Sequence, residues 1–267
     1  MSGGGFRVDF VERPEGGRVA RLVIDNPAKL NSLNSALMEE LVATMAQVAA
    51  APELRLAILT GAGGRAFVGG ADIGEIAALD HKGARRFITL VHRCCAACRE
   101  LPVPVIARIE GYALGAGLEL AAACDLRVAS QDAVFGMPEV AIGIPSVVEA
   151  ALLPRLIGVG RANRLLLTGE PIDAPTALAW GLVDSVAPAS DLDAAVERLA
   201  QPILAAGPHA IRLQKALIRE WQEMPAAAAI ARGIDAFVSA YDSDEPARMA
   251  GAAVERLRRR RAGGGRP

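Results

Sequence analysis

The sequence predicts an α/β protein built on a mainly parallel sheet, with a helical region at its C-terminal end. Three observations predict it. Strand-like apolar runs alternate with helix-like segments from Arg18 to about Val186. Hydrophobic residues make up 52% of the 267 residues but aromatic ones only 4%, so a sizeable core must be filled by small and aliphatic side chains. From Leu192 onward, helix-like segments follow one another with no strand between them.

Arg18–Ile24 reads as a strand closed by Asp25-Asn26-Pro27. Leu37–Ala49 has helical apolar spacing, with Ser35 as its N-cap. Leu54–Leu59 is a strand stopped by Thr60-Gly61-Ala62-Gly63-Gly64, and a helix follows over Ala84–Leu101. Val103–Ile109 is a further strand, Leu114–Cys124 a helix and Leu126–Ala129 a short strand. This order makes βαβ units. Beyond Pro145 the pattern becomes helical: Ala150–Ile157, Ala162–Thr168, and Ala174–Trp180 ended by Gly181. Val183–Val186 is a last short strand, and helices follow over about 191–206, 208–223, 225–240 and 245–259. The expected organisation is a core over 1–190, a helical region over 191–260 and a flexible tail over 261–267.

Composition excludes several functions. A net charge of −1 and the scarcity of aromatic residues argue against nucleic-acid binding. No uncharged apolar run reaches the ~18–20 residues that span a bilayer, and Met1–Gly5 lacks the features of a signal peptide. A cytoplasmic location without membrane attachment is expected. Cys95-Ala96-Ala97-Cys98 has the spacing of half a zinc site, but no second half follows. Cys94, Cys95, Cys98 and Cys124 are read as packing residues, and no metal is expected.

Two glycine-rich stretches carry the chemistry: Ala66–Glu75 and Glu110–Leu120. Each follows a strand-like run and leads into a helix, so each can present bare backbone N–H groups. Two such donors aimed at one point stabilise charge on a carbonyl oxygen. Glu119 lies one turn into an otherwise apolar helix, so it needs a partner or a raised pKa. Glu139 sits in a loop between apolar segments, where active-site groups concentrate. Asp72 is expected to be a helix N-cap.

Ala66–Ile76 and Gly111–Ser130 resemble the first and the second, most diagnostic, signature of the crotonase (enoyl-CoA hydratase/isomerase) superfamily, and the chain is most similar to its enoyl-CoA hydratases. Asn26–Leu33, Phe135–Val140 and Ala179–Val183 agree with it, and the resemblance runs from about residue 6 to about 258. It implies a ββα spiral core and a site for acyl-CoA thioesters. It also implies an oxyanion hole from the backbone N–H groups of Ala71 and Ala116, and hydration by the pair Glu119 and Glu139. Lys29, Leu30, Ala71, Asp72, Ile73, Gly74 and Ala116 are the matching positions for binding coenzyme A and substrate. No cofactor is implied, since the coenzyme A thioester is itself the substrate. A homo-oligomer, a trimer or a dimer of trimers, is implied as well.

The sequence departs from that pattern in three places. Ala116 stands where glycine is common. Gly74 replaces a lysine, leaving Lys29 or Lys215 to supply charge. Ile144-Pro145-Ser146-Val147-Val148-Glu149 replaces a Pro-Gly-x-Gly-Gly run that shapes the acyl pocket, and Glu149 is expected on a helix surface. A dinucleotide fold is rejected, because Gly158-Val159-Gly160 lies late and lacks the third glycine. The alternatives are a Δ3,Δ2-enoyl-CoA isomerase using Glu139 as its base with Glu119 passive, another crotonase-type acyl-CoA enzyme, and an RNA-binding or assembly role for Arg256–Arg261.

Overall fold

The computed structural model describes residues 5–262, with side chains as far as Arg259. The chain divides into two compact units between Gln201 and Pro202.

The first unit holds ten strands in two sheets. The strands are β1 (Gly5–Glu12), β2 (Arg18–Asp25), β3 (Leu54–Gly61), β4 (Ala66–Val68), β5 (Val105–Ile109), β6 (Tyr112–Leu114), β7 (Leu126–Ser130), β8 (Val134–Gly136), β9 (Ile172–Asp173) and β10 (Ser185–Ala187). Its helices are α1 (Ser35–Ala49), α2 (Ile73–Ala77), α3 (His81–Glu100), α4 (Ala116–Ala123), α5 (Leu153–Ile157), α6 (Val159–Thr168), α7 (Ala174–Trp180) and α8 (Leu192–Ala205), the last running past the unit boundary.

The large sheet has the order β1-β2-β3-β5-β7-β10, with only the β1–β2 pair antiparallel. The small sheet has the order β4-β6-β8-β9, with β4, β6 and β8 parallel. Three successive turns of chain (β3 to β4, β5 to β6, β7 to β8) each lay one strand in the large sheet and one in the small. Helices follow the first two turns and a 3₁₀ turn, Pro138–Ile142, follows the third. This is the expected ββα spiral.

The large-sheet strands read as near-continuous apolar runs because they are buried on both faces: Leu22, Ile24, Leu56, Leu59, Val105, Ile106 and Ile109 are each 1% exposed or less. Helix α3 presents Phe87, Leu90, Val91, Cys94, Cys95 and Cys98 to this core, a spacing of three and four residues. All four cysteines are buried, as packing residues should be.

Several boundaries differ from expectation. The N-cap of α1 is Asn34, whose side chain accepts from the Leu37 N–H, so Ser35 is the first helical residue. Helix α4 starts at Ala116, because Tyr112–Leu114 pairs with β4 and β8 instead of joining it. Ala150–Ile157 is not one helix: a 3₁₀ turn over Val148–Leu152 precedes α5. Arg127 is buried in β7 and donates to the carbonyls of Cys124 (2.7 Å) and Leu182 (2.7 Å), which closes the C-terminal end of α4.

The second unit contains α9 (Pro208–Trp221), α10 (Ala226–Ser239) and α11 (Glu245–Ala262). Buried Glu245 accepts from the N–H groups of His209 and Ala210, and Arg232 pairs with Glu220 at 2.6 Å. One face of α10 leaves Ile230, Ile234, Phe237 and Val238 more than 60% exposed. Of the expected tail over 261–267, residues 261 and 262 instead continue α11, and 263–267 lie outside the described residues.

Candidate active site

The small sheet brings the site together. Its three parallel strands β4, β6 and β8 are neighbours, and the segment leaving the C-terminal end of each carries one part of the site. Gly69-Gly70-Ala71 leaves β4, Gly115-Ala116 leaves β6, and Met137-Pro138-Glu139 leaves β8. Three points remote in sequence thus become adjacent.

The Ala71 junction is fixed by the segment before α1. Gly69 N–H donates to Leu30 O (2.8 Å), Leu33 N–H to Gly70 O (2.9 Å) and Asp72 N–H to Leu33 O (2.8 Å). In this parallel bridge, Leu33 bonds the residues on either side of Ala71, so the Ala71 N–H points away from the ladder. Leu30 and Asn31 both have left-handed φ, 52° and 56°. Asn31 is fully buried and its side-chain amide donates to Ala62 O (2.9 Å) and Ala66 O (2.7 Å), which holds this bent segment beside β4. Asp72 caps α2 by accepting from the Glu75 N–H (3.1 Å), as expected. The Lys29 ammonium bonds Asp72 at 2.8 Å and, with the Glu75 N–H, holds its carboxyl below the usual range.

At the second junction, Gly115 has φ 51° and ψ −121°, which only glycine adopts easily. A side chain there would also collide with the Glu139 carboxylate. Ala116 is the first residue of α4, so its N–H has no partner within the helix. Its backbone is ordinary right-handed helix, so alanine replaces glycine there without strain.

Glu119 is 3% exposed and accepts from the Ala150 N–H at 3.2 Å through Oε1. Burial first, then the negative charge of Glu139, pushes its pKa up to about 8. Glu139 is partly exposed and accepts from the Ser146 hydroxyl at 2.8 Å.

Glu119, Glu139, Ala71 and Ala116 all line one cavity of about 730 Å³. Ile76, Phe87, Ile88, Val91, Ile144 and Val147 supply much of its apolar wall. Ile73 reaches this wall, but Lys29, Leu30, Asp72 and Gly74 do not, and lie outside it around the Asp72 cap. Lys215 is buried in the second unit, so its ammonium is not displayed on the surface.

Glu149 is a correction. Instead of standing on a surface helix, it is 3% exposed in the 3₁₀ turn Val148–Leu152 and bonds His92 of α3 at 2.9 Å. The turn doubles back against α3 and α4, which a helical reading of Ala150–Ile157 hides. The α3 wall of the cavity lies outside the expected site residues, although its apolar spacing over Ala84, Phe87, Ile88 and Val91 is visible in the sequence.

A family model for enoyl-CoA hydratase/isomerase matches residues 15–259. The chain belongs to the enoyl-CoA hydratase/isomerase family. It is 36% identical to the short-chain-enoyl-CoA hydratase of Clostridium acetobutylicum, over 86% of this chain and 88% of that one. It is 38% identical to the crotonyl-CoA hydratase of Syntrophomonas wolfei, over 82% and 85%. The crystal structure of an enoyl-CoA hydratase from Bacillus anthracis superposes with a TM-score of 0.88 at 34% identity, covering 94% of this chain and 96% of that one. Members of the family share its spiral, and in this chain the spiral places two N–H donors and two carboxylates on a single cavity.

Proposed function

We propose that this chain adds water across the 2,3 double bond of trans-2-enoyl-CoA thioesters, using Ala71 and Ala116 as the oxyanion hole and Glu119 and Glu139 as the acid–base pair. The chain is an enoyl-CoA hydratase, an enzyme of the hydro-lyase type. The observation that carries the assignment of roles is the convergence of two free backbone N–H groups and two carboxylates at adjacent ends of β4, β6 and β8.

The thioester oxygen accepts from both N–H groups and holds the negative charge that develops as water attacks C3. Each donor contributes about 2.7–4 kcal/mol to that transition state. Water gives one proton to the carboxylate pair, and the pair gives one to C2, so the enzyme ends with the protons it began with. Two carboxylates sharing one site favour a single shared proton, and Glu119 holds one at neutral pH. Ser146 keeps Glu139 turned toward the cavity.

Coenzyme A lies along Lys29, Leu30, Asp72, Ile73 and Gly74, where Ile73 is 64% exposed and the Lys29–Asp72 pair offers charge of both signs. The thioester is the substrate, and no separate cofactor takes part. The apolar wall and the two named relatives favour short to medium, uncharged acyl chains. The apolar face of α10 supports assembly into a homo-oligomer, a trimer or a dimer of trimers. Four buried cysteines that form no disulfide among the described residues support a cytoplasmic location, and no described helix is long and apolar enough to cross a membrane.

The test follows loss of the conjugated thioester absorbance with crotonyl-, hexenoyl- and decenoyl-CoA. Glu119→Gln and Glu139→Gln each lower kcat by about 10²–10⁴-fold. No turnover of any of the three substrates by the wild type overturns the reading. Isomerisation of 3-enoyl-CoA that survives in Glu119→Gln, with negligible hydration throughout, assigns the site to the isomerase reaction instead.

A further inference from the structure

Glu149 is a buried carboxylate that this chemistry does not use. It does not line the cavity. His92 of α3 binds its Oε1, while its Oε2 has no hydrogen-bond partner among the described residues. A carboxylate that is 3% exposed and only half satisfied is costly to bury, and a plain structural anchor would not need the charge.

Its neighbours in the chain give the carboxylate a purpose. The residue before it, Val148, has φ 43°, a left-handed backbone that is strained for a β-branched side chain. The residue after it, Ala150, donates its N–H to Glu119 Oε1 at 3.2 Å. A strained residue, an anchored carboxylate and the donor to Glu119 are therefore consecutive. No described group bonds the other oxygen of Glu119, which leaves that oxygen free for water.

We propose that Glu149, held by His92, is a positioning residue for Glu119: it fixes the Ala150 N–H on one oxygen of that carboxyl and sets a negative charge behind it. The inference rests on Glu119 belonging to the catalytic pair. The titratable groups facing Glu149 are His92, Cys94 and Cys95 from α3, Glu119 from α4, and Glu139 beyond Glu119, with Arg93 exposed next to Cys94. Burial raises the thiols of Cys94 and Cys95, so both are neutral. The charges that act on Glu119 are those of Glu139 and Glu149.

Two measurements on the full-length protein test this. The first titrates the Glu119 carboxyl by infrared difference spectroscopy, with its band assigned by its loss in Glu119→Gln. Glu149→Gln keeps the shape and removes the charge, and the Glu119 midpoint falls. The second compares two variants at exposed His92. His92→Leu lowers kcat about tenfold with KM within twofold, because the pair does not touch substrate, and His92→Asn, which keeps a donor near the Nδ1 position, restores most of the loss. An unmoved Glu119 midpoint in Glu149→Gln, or His92→Leu and His92→Asn behaving alike, overturns the proposal. The titration reads Glu119 whether or not the enzyme turns over, so failure of the catalytic assignment shows separately, as full kcat in Glu119→Gln.

Discussion

At the scale of single residues, Glu119 shows how function works against stability. Its pKa rises from 4.5 to about 8 on folding because the ionised form is buried beside other carboxylates. A carboxyl whose pKa is raised binds its proton more tightly in the folded state. Its favourable contribution is therefore complete below about pH 4.5 and is lost as the pH rises toward 8. Glu119→Gln removes the charge and keeps the shape. It is expected to come close to the wild type in urea denaturation at pH 5 and to exceed it at pH 9 by up to roughly 5 kcal/mol. The same ionisation sets the pH profile: kcat/KM falls on an alkaline limb near pH 8, as Glu119 loses the proton that the pair passes to C2. A flat profile to pH 10 would remove Glu119 from the proton path. These effects could be foreseen from the sequence only in outline. A lone glutamate among Leu118, Leu120 and Ala121–Ala123 announces burial, but the Ala150 N–H that meets it comes from a segment 31 residues away.

At the scale of elements, the informative piece is the turn Val147–Ala150. Its φ of 43° at Val148 is a conformation in which an L side chain costs about 1–2 kcal/mol and glycine costs almost nothing. Replacing alanine by glycine ordinarily destabilises a protein. Here the order reverses, and Val148→Gly should be more stable than Val148→Ala by about 1 kcal/mol in chemical denaturation. The long apolar elements were legible in the sequence because one period persists over many residues, as in α1, α3 and the buried strands of the large sheet. The small sheet was not. β4, β6 and β8 have three residues each, too few for an alternation to declare itself, and they form only when the spiral lays them side by side. The glycine-rich junctions and both glutamates stand out in the sequence, because a bare backbone donor or an isolated carboxylate is a local signal, and the resemblance to the family adds to it. The Val148–Leu152 turn was missed because five residues of helix-like composition cannot show a left-handed backbone.

At the scale of the whole molecule, the exposed side chains of α10 are the largest unpaid feature of the second unit. Ile230, Ile234 and Phe237 recur at helical spacing and are each more than 60% exposed. An amphipathic face of this kind belongs against a partner surface. If the proposed homo-oligomer assembles through this face, the double substitution Ile234→Asp and Phe237→Asp converts it to monomers by light scattering, while far-ultraviolet circular dichroism stays unchanged. An unchanged mass would place the assembly contact elsewhere. Among the described residues, the arginines at the end of α11, Arg256, Arg258 and Arg259, are exposed.

The four buried thiols turn the wall behind the site into a clock. Cys94 and Cys95 lie on α3 against the Glu119–Glu149 cluster, and burial raises both, with Cys94 pushed up to about 12. Cys94 also donates its thiol to the Met38 carbonyl of α1, so neither thiol meets a solvent reagent unless the packing of α3 against α1 and α4 opens, and the rate of modification by an aromatic disulfide counts those openings. The native enzyme should react over hours and keep its activity until it does, and a saturating product thioester should slow the reaction in proportion to its occupancy. Modification in seconds, unaffected by product, would mean that this packing opens freely during turnover.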